Sequence, residues 1–216
     1  MVLQMTQGIL SDSTILESVN DGSIVIDPFR PEQLNPSSYD VTLGNEVSVY
    51  ADVVTTRWDS IWSIDRNRSI DGSNLCPNTN SPILDIKKPL RVKKFTMDPA
   101  LGWVLYPGIG YLMSTAERIG SNRYVPILDG KSTIGRLFVA AHITAGFGDV
   151  GFFGNFTLEV TCVHPIRLYP GMRIGQIRFQ TVAGEVSKTY EQTGKYKGEM
   201  ATGPVPSQAY RMFDQK

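Results

Sequence analysis

The chain has 216 residues, 41% of them hydrophobic and 19% charged, which suits one domain with a real core and excludes a disordered chain. Its 21 Lys+Arg balance 21 Asp+Glu, so no net field draws it to nucleic acid or to an anionic membrane, although charges can still cluster locally. Two cysteines make no disulfide framework, no apolar stretch approaches the length of a membrane span, and no signal-peptide pattern is present. The expectation is a cytoplasmic protein with neither nucleic acid nor membrane as partner.

In chain order, Ser11 to Asn20 predicts a short helix. Ser11 or Ser13 can cap it, Ile15, Leu16 and Val19 form one apolar face, and Asp21-Gly22 stops it. Ser23 to Asp27 alternates as a short strand. Pro28, Pro31 and Pro36 make residues 27–40 an extended connection. Tyr39 to Leu43 begins a strand that ends at Gly44-Asn45, with Glu46 to Val54 as its hairpin partner. Residues 55–81 read as a loop-rich insertion. Strands follow over Ile83 to Leu90, Lys93 to Met97, Leu101 to Pro107, Tyr111 to Ala116 and Val125 to Leu128, with a turn at Gly108-Ile109-Gly110. A strand carrying Glu159 runs to Val163, and another covers Pro165 to Leu168. Tyr169-Pro170-Gly171 fits a type II turn, with Pro at i+1 and Gly at i+2. Met172 to Thr181 alternates around Gly175, and residues 184–216 form a polar tail. One helix pattern among many short strands predicts an all-β barrel or sandwich.

The chemistry concentrates between Gly130 and Glu159. The only histidines are His142 and His164, with no HExxH, no zinc-deaminase ligand set, no G-x-S-x-G and no complete Walker A motif. Lys131, Ser132, Thr133 and Arg136 offer hydroxyls and cations that suit phosphate oxygens, or equally a strand-to-helix cap with solvated charges. Asp149 stands in Gly146-Phe147-Gly148-Asp149-Val150-Gly151-Phe152, whose glycines serve either close ligand approach or a plain hairpin turn. Glu159 shares a strand face with Thr157 and Thr161, opposite Leu158, Val160 and Cys162. Alternation leaves open whether that face meets solvent or a pocket. Cys162 reads as a small buried hydrophobe. The tail around Lys195 either closes over a ligand or stays loose.

Five segments in order, LNPSSYDVTLG, TAERI with DGKSTIGRL, HITAGFGDVGFFGNFTLE, RLYPGMRIGQI and GKYKGEMATGPVPS, resemble the dCTP deaminase family of the dUTPase-like superfamily, bifunctional members included. The resemblance implies a distorted β-barrel in a homotrimer with active sites between subunits, and zinc-independent hydrolytic deamination of dCTP to dUTP and ammonia. Glu159 would be the general acid/base. Ser132 and the carbonyl of Ala145 would hold the attacking water, and Arg136 would position the site. Asp149 would bind the 3′-hydroxyl, and Phe152 would pack on the deoxyribose. Lys131, Ser132 and Thr133 would lie at the triphosphate, partly from a neighbouring subunit. Tyr190, Lys195 and Glu199 in the tail would fold over the ligand. Mg²⁺ would be carried by the phosphates, with no metal ligands from the protein. His142 and Ile143 lie where the family couples dTTP binding to an inactive state, which implies dTTP as an inhibitor; a buried, satisfied histidine is the alternative at His142.

The chain departs from the family pattern in three places. Lys131 stands for the usual Arg, Thr133 for a second Ser, and Glu199 for Gln or Asn. Phe147 matches members that also cleave the triphosphate, so a bifunctional enzyme giving dUMP and diphosphate is the alternative to dUTP release. A plain dUTPase and a nucleotide-binding regulator without turnover are further rivals.

Overall fold

The computed structural model of the chain describes residues 8–51, 53–56, 75–77, 83–197 and 202–213. In chain order the elements are α1 (Asp12–Asn20), β1 (Ile24–Asp27), β2 (Leu34–Asn35), β3 (Ser38–Thr42), β4 (Glu46–Tyr50), β5 (Val54–Thr56), β6 (Leu75–Pro77), β7 (Val92–Thr96), β8 (Trp103–Leu105), β9 (Tyr111–Ser114) and β10 (Arg118–Ser121). Then come β11 (Val125–Gly130), α2 (Ser132–Gly135), β12 (Val139–Ala140), β13 (Phe153–Gly154), β14 (Thr157–Cys162), β15 (Ile166–Leu168), β16 (Arg173–Gln180) and α3 (Tyr190–Thr193). The fold is mainly β with a few short helices.

Helix α1 forms where its sequence pattern places it. The Ser11 hydroxyl accepts from the Thr14 N–H, and the chain leaves the helix through Gly22 at φ 78°. Ile15 is buried and Val19 packs on the core, whereas Leu16 is exposed, so the apolar face is narrower than the sequence suggests.

Two sheets carry the functional residues. One has the order β11-β16-β3-β2, the other β12-β14-β9-β4-β7. In the second, β9 is central and all four of its residues are buried, as a strand covered on both faces must be. Its Tyr111 hydroxyl accepts from the Tyr106 N–H, and burial pushes that phenol up to about 12. Beside it, β14 alternates half-buried and buried positions, with Leu158 and Val160 fully buried. Each such side chain contributes about 1.5–3 kcal/mol of transfer free energy. The tight turn at Tyr169-Pro170-Gly171 is present, with Gly171 at φ 79° and the Met172 N–H bonded to the Tyr169 carbonyl.

The strand pairing corrects three expectations. β3 and β4 are not hairpin partners: β3 pairs with β2 and β16, while β4 pairs with β7 and β9. The Gly44-Asn45 break carries the chain from one sheet to the other. Residues 83–90 form no strand, because the Asp85 carboxylate accepts from the Lys87 N–H and closes a turn there. The turn expected at Gly108-Ile109-Gly110 falls at Pro107-Gly108. Of the insertion, Val54–Thr56 pairs antiparallel with Leu75–Pro77, and most of residues 57–81 lie outside the described residues.

Candidate active site

Glu159 is brought to a cavity rather than to open solvent. Its strand β14 buries Leu158 and Val160 on one face and turns Glu159 and Thr157 to the other, where a cavity of about 380 Å³ opens. That volume lies within the usual range for small-ligand sites. The Glu159 carboxylate accepts from the Ile143 N–H at 3.2 Å, which fixes one oxygen and leaves the other for a ligand.

The loop between β12 and β13 forms the next wall. It runs along β11, with the Leu128 N–H bonded to the Gly146 carbonyl at 2.7 Å and the Gly148 N–H to the Pro126 carbonyl at 2.8 Å. Glycine is required there by close approach: a Cβ on Gly146 would lie 2.2 Å from the Leu128 carbonyl oxygen. Ala145, Phe147, Asp149 and Phe152 from this loop all line the cavity. The Phe152 ring packs edge-on against Phe156 at 5.0 Å and Tyr190 at 5.5 Å, which fixes its orientation.

The tail closes the remaining side. The Tyr190 N–H bonds to the Val150 carbonyl, and Thr189 and Gln192 form a capping box that starts α3. Three tyrosine hydroxyls then hold the backbone of the tail. Tyr190 accepts from the Tyr196 N–H, Tyr196 from the Gln208 N–H, and Tyr50 from the Ser207 N–H. Thr157 Oγ1 accepts from the Val205 N–H. Burial, above all, pushes the Tyr190 phenol up from its ordinary value. The tail is thus docked through residue 197 and again over 202–213, and is not a loose end there.

Of the residues singled out in the sequence, Glu159, Ala145, Asp149, Phe152 and Tyr190 meet at one cavity, with Ile143 supplying a backbone donor. Ser132, Thr133 and Arg136 do not: they lie exposed on α2 and just after it, away from that cavity. Lys131 precedes them, and its ammonium binds both oxygens of Asp40. Lys195 is exposed and does not line the cavity, and Glu199 lies outside the described residues. One buried His142 ring nitrogen has no hydrogen-bond partner among the described residues.

Sequence reasoning missed Tyr50, Asn155, Tyr196, Val205 and Ser207, all of which line the cavity. Asn155, Tyr196, Val205 and Ser207 stand inside the motif segments and could have been weighed. Tyr50 carries no local signal, because only the returning tail gives it a role. The TAERI segment is scaffold: the wholly buried Glu117 accepts from the Thr42 N–H and hydroxyl and from Gln33.

A family model described as dCTP deaminase-like matches residues 9–182, most of the chain. The chain belongs to the dCTP deaminase-like family. Among curated relatives, a protein of Clostridium acetobutylicum named "dCTP deaminase, dUMP-forming" is 40% identical over 205 residues, covering 95% of this chain and 98% of its own. Proteins of the same name from Hathewaya histolytica and Cytophaga hutchinsonii are 38% identical over 206 residues and 40% over 191; they cover 95% and 88% of this chain, and 99% and 91% of their own. The crystal structure of 2′-deoxycytidine 5′-triphosphate deaminase from Agrobacterium tumefaciens shares the fold, with a TM-score of 0.56 at 20% identity over 84% of this chain. This chain spans half the length of that one. Among the described residues of this dCTP deaminase-like chain, no helix is long and apolar enough to cross a membrane.

Proposed function

We propose that the chain deaminates dCTP and cleaves the triphosphate, releasing ammonia, diphosphate and dUMP. The observation that carries deamination is the Glu159 carboxylate, held by the Ile143 N–H at the wall of a cavity that also presents Asp149 and Phe152. The sequence put release of dUTP first. The relatives named dUMP-forming favour the second reading instead, and Phe147, the aromatic that goes with it, lines the same cavity.

In the first step a water oxygen bonds to C4 of the cytosine while Glu159 moves a proton from it to N3. Glu159 then carries the proton of the new hydroxyl to the amine. The C4–N bond breaks, ammonia leaves and the C4 carbonyl forms. The Ala145 carbonyl, together with Ser132 reaching in from a neighbouring subunit, would hold the attacking water. Asp149 accepts from the 3′-hydroxyl, and Phe152, fixed by Phe156 and Tyr190, packs on the sugar. A second water attacks the α-phosphorus, and the bond to the β-phosphate breaks.

Mg²⁺ would enter with the nucleotide. The described lining offers two carboxylates, Asp149 and Glu159, too few for a dedicated cage, and Mg²⁺ commonly keeps waters and phosphate oxygens as ligands. Its contribution is to neutralise phosphate charge. Ser132, Thr133 and Arg136, which follow the Asp40-bound Lys131, would serve a neighbouring subunit's cavity in a homotrimer. That reading is supported by their position outside their own cavity, by the exposed Leu137 and Phe138 that follow them in sequence, and by the exposed Val163, whose N–H bonds to the Phe138 carbonyl. Lys195 and Glu199 would approach the ligand from the tail. dTTP, with the same sugar and phosphates, would compete for the cavity and inhibit.

Incubation with dCTP and Mg²⁺, followed by nucleotide and ammonia analysis, tests this. Absence of ammonia would remove the deaminase reading, and dUTP accumulating without diphosphate would remove the second step.

A further inference from the structure

The residue that opens the α2 turn is tied to a different strand. Lys131 N-caps α2 with no side-chain cap bond; its carbonyl accepts from the Ile134 and Gly135 N–H groups, and its ammonium reaches both oxygens of Asp40 at 2.8 Å. The Asp40 side chain is 0% exposed on β3, and that of Lys131 is 26% exposed. The same carboxylate accepts from Asn35 Nδ2 at 3.0 Å and from Arg173 Nη1 at 3.1 Å, while Arg173 Nη2 donates to the Glu32 carbonyl. Both oxygens are therefore saturated, and both cations are committed inside the chain. β16 lies between β11 and β3, with Gln176 paired to Asp129 on one side and to Asp40 on the other.

We propose that Asp40 is a positioning residue and that Lys131 is its tether rather than a ligand of substrate phosphate. The Asp40–Lys131 pair sets where the next residue, Ser132, stands. A buried carboxylate bonded on both oxygens is a stiff anchor, and a reacting group displaced by about 1 Å can lose a hundredfold in rate. The catalytic half of this inference rests on the proposed deaminase reading, whereas the tether itself does not.

The test uses the full chain with Lys131→Met, Lys131→Arg, Asp40→Asn and the double variant Lys131→Met/Asp40→Asn. For ammonia release, Lys131→Met should lower kcat about tenfold or more and change KM for dCTP less than about threefold, because the loss is in placement and not in ground-state binding. Lys131→Arg, which keeps a cation for Asp40, should recover most of kcat. Melting temperatures should be non-additive, the double variant melting no lower than the worse single one. A KM raised about tenfold with kcat retained in Lys131→Met would make Lys131 a phosphate ligand and overturn the proposal. Additive melting losses would overturn the tether. If Asp40→Asn does not fold, the kinetic contrast of Lys131→Met with Lys131→Arg decides. A wild-type chain that releases no ammonia refutes the deaminase reading alone, and the melting cycle still decides the tether.

Discussion

The two halves of the stretch from Gly130 to Glu159 have opposite fates. The later half, Ala145 to Glu159, folds inward onto one cavity, where a strand carboxylate, a glycine-rich loop and the returning tail converge. The earlier half, Lys131 to Arg136, stays on the outside, with its first residue bound to buried Asp40 and its hydroxyls exposed. Proximity in sequence therefore does not mean one site in one chain. Under the proposed function, the inward half would meet the base and the sugar. The outward half has donors suited to a phosphate and does not line that cavity, and under the proposed function it would complete the site of a neighbouring copy.

The sharpest way to break this contrast is at its inner end. Glu159→Gln keeps the shape of the side chain but cannot relay protons, and should lower ammonia release by about 10²–10⁴ while dCTP still binds; retained turnover would displace Glu159 from its role. Next comes complementation. Ser132→Ala should be inactive on its own, yet mixing it with Glu159→Gln and exchanging subunits should restore a substantial fraction of wild-type activity, because some sites then receive both intact residues. No recovery would place both residues in the same chain's site. Smaller is Asp149→Ala, which should raise KM for dCTP about tenfold by removing a charged hydrogen-bond acceptor, with kcat less affected. Smallest is Tyr50→Phe, which loses the bond to the Ser207 N–H and should raise KM about two- to fivefold by loosening the tail. Steady-state kinetics reads both.

Much of this was legible in the sequence because it is local. Ser11 caps α1, Pro170 and Gly171 make their turn, and the β14 alternation puts Glu159 opposite its apolar neighbours. What alternation cannot tell is what lies across from an exposed-looking face. The cavity exists because the tail returns, and the tail's anchors, Tyr50 with Ser207 and Tyr196 with Gln208, join distant or unpatterned positions. β3 and β4 read as a hairpin because only a glycine break separates them, yet each finds its partners far along the chain. Lys131 and Asp40 are 91 residues apart, so no local pattern shows that the cation is already committed.

The most direct measurement is the product balance for dCTP with Mg²⁺. Equal amounts of ammonia, diphosphate and dUMP, with no free dUTP building up, are the expected result. Dependence of all three on Glu159 would tie them to the cavity. Ammonia with accumulating dUTP and no diphosphate would contradict the dUMP-forming account, and no ammonia at all would contradict the deaminase itself.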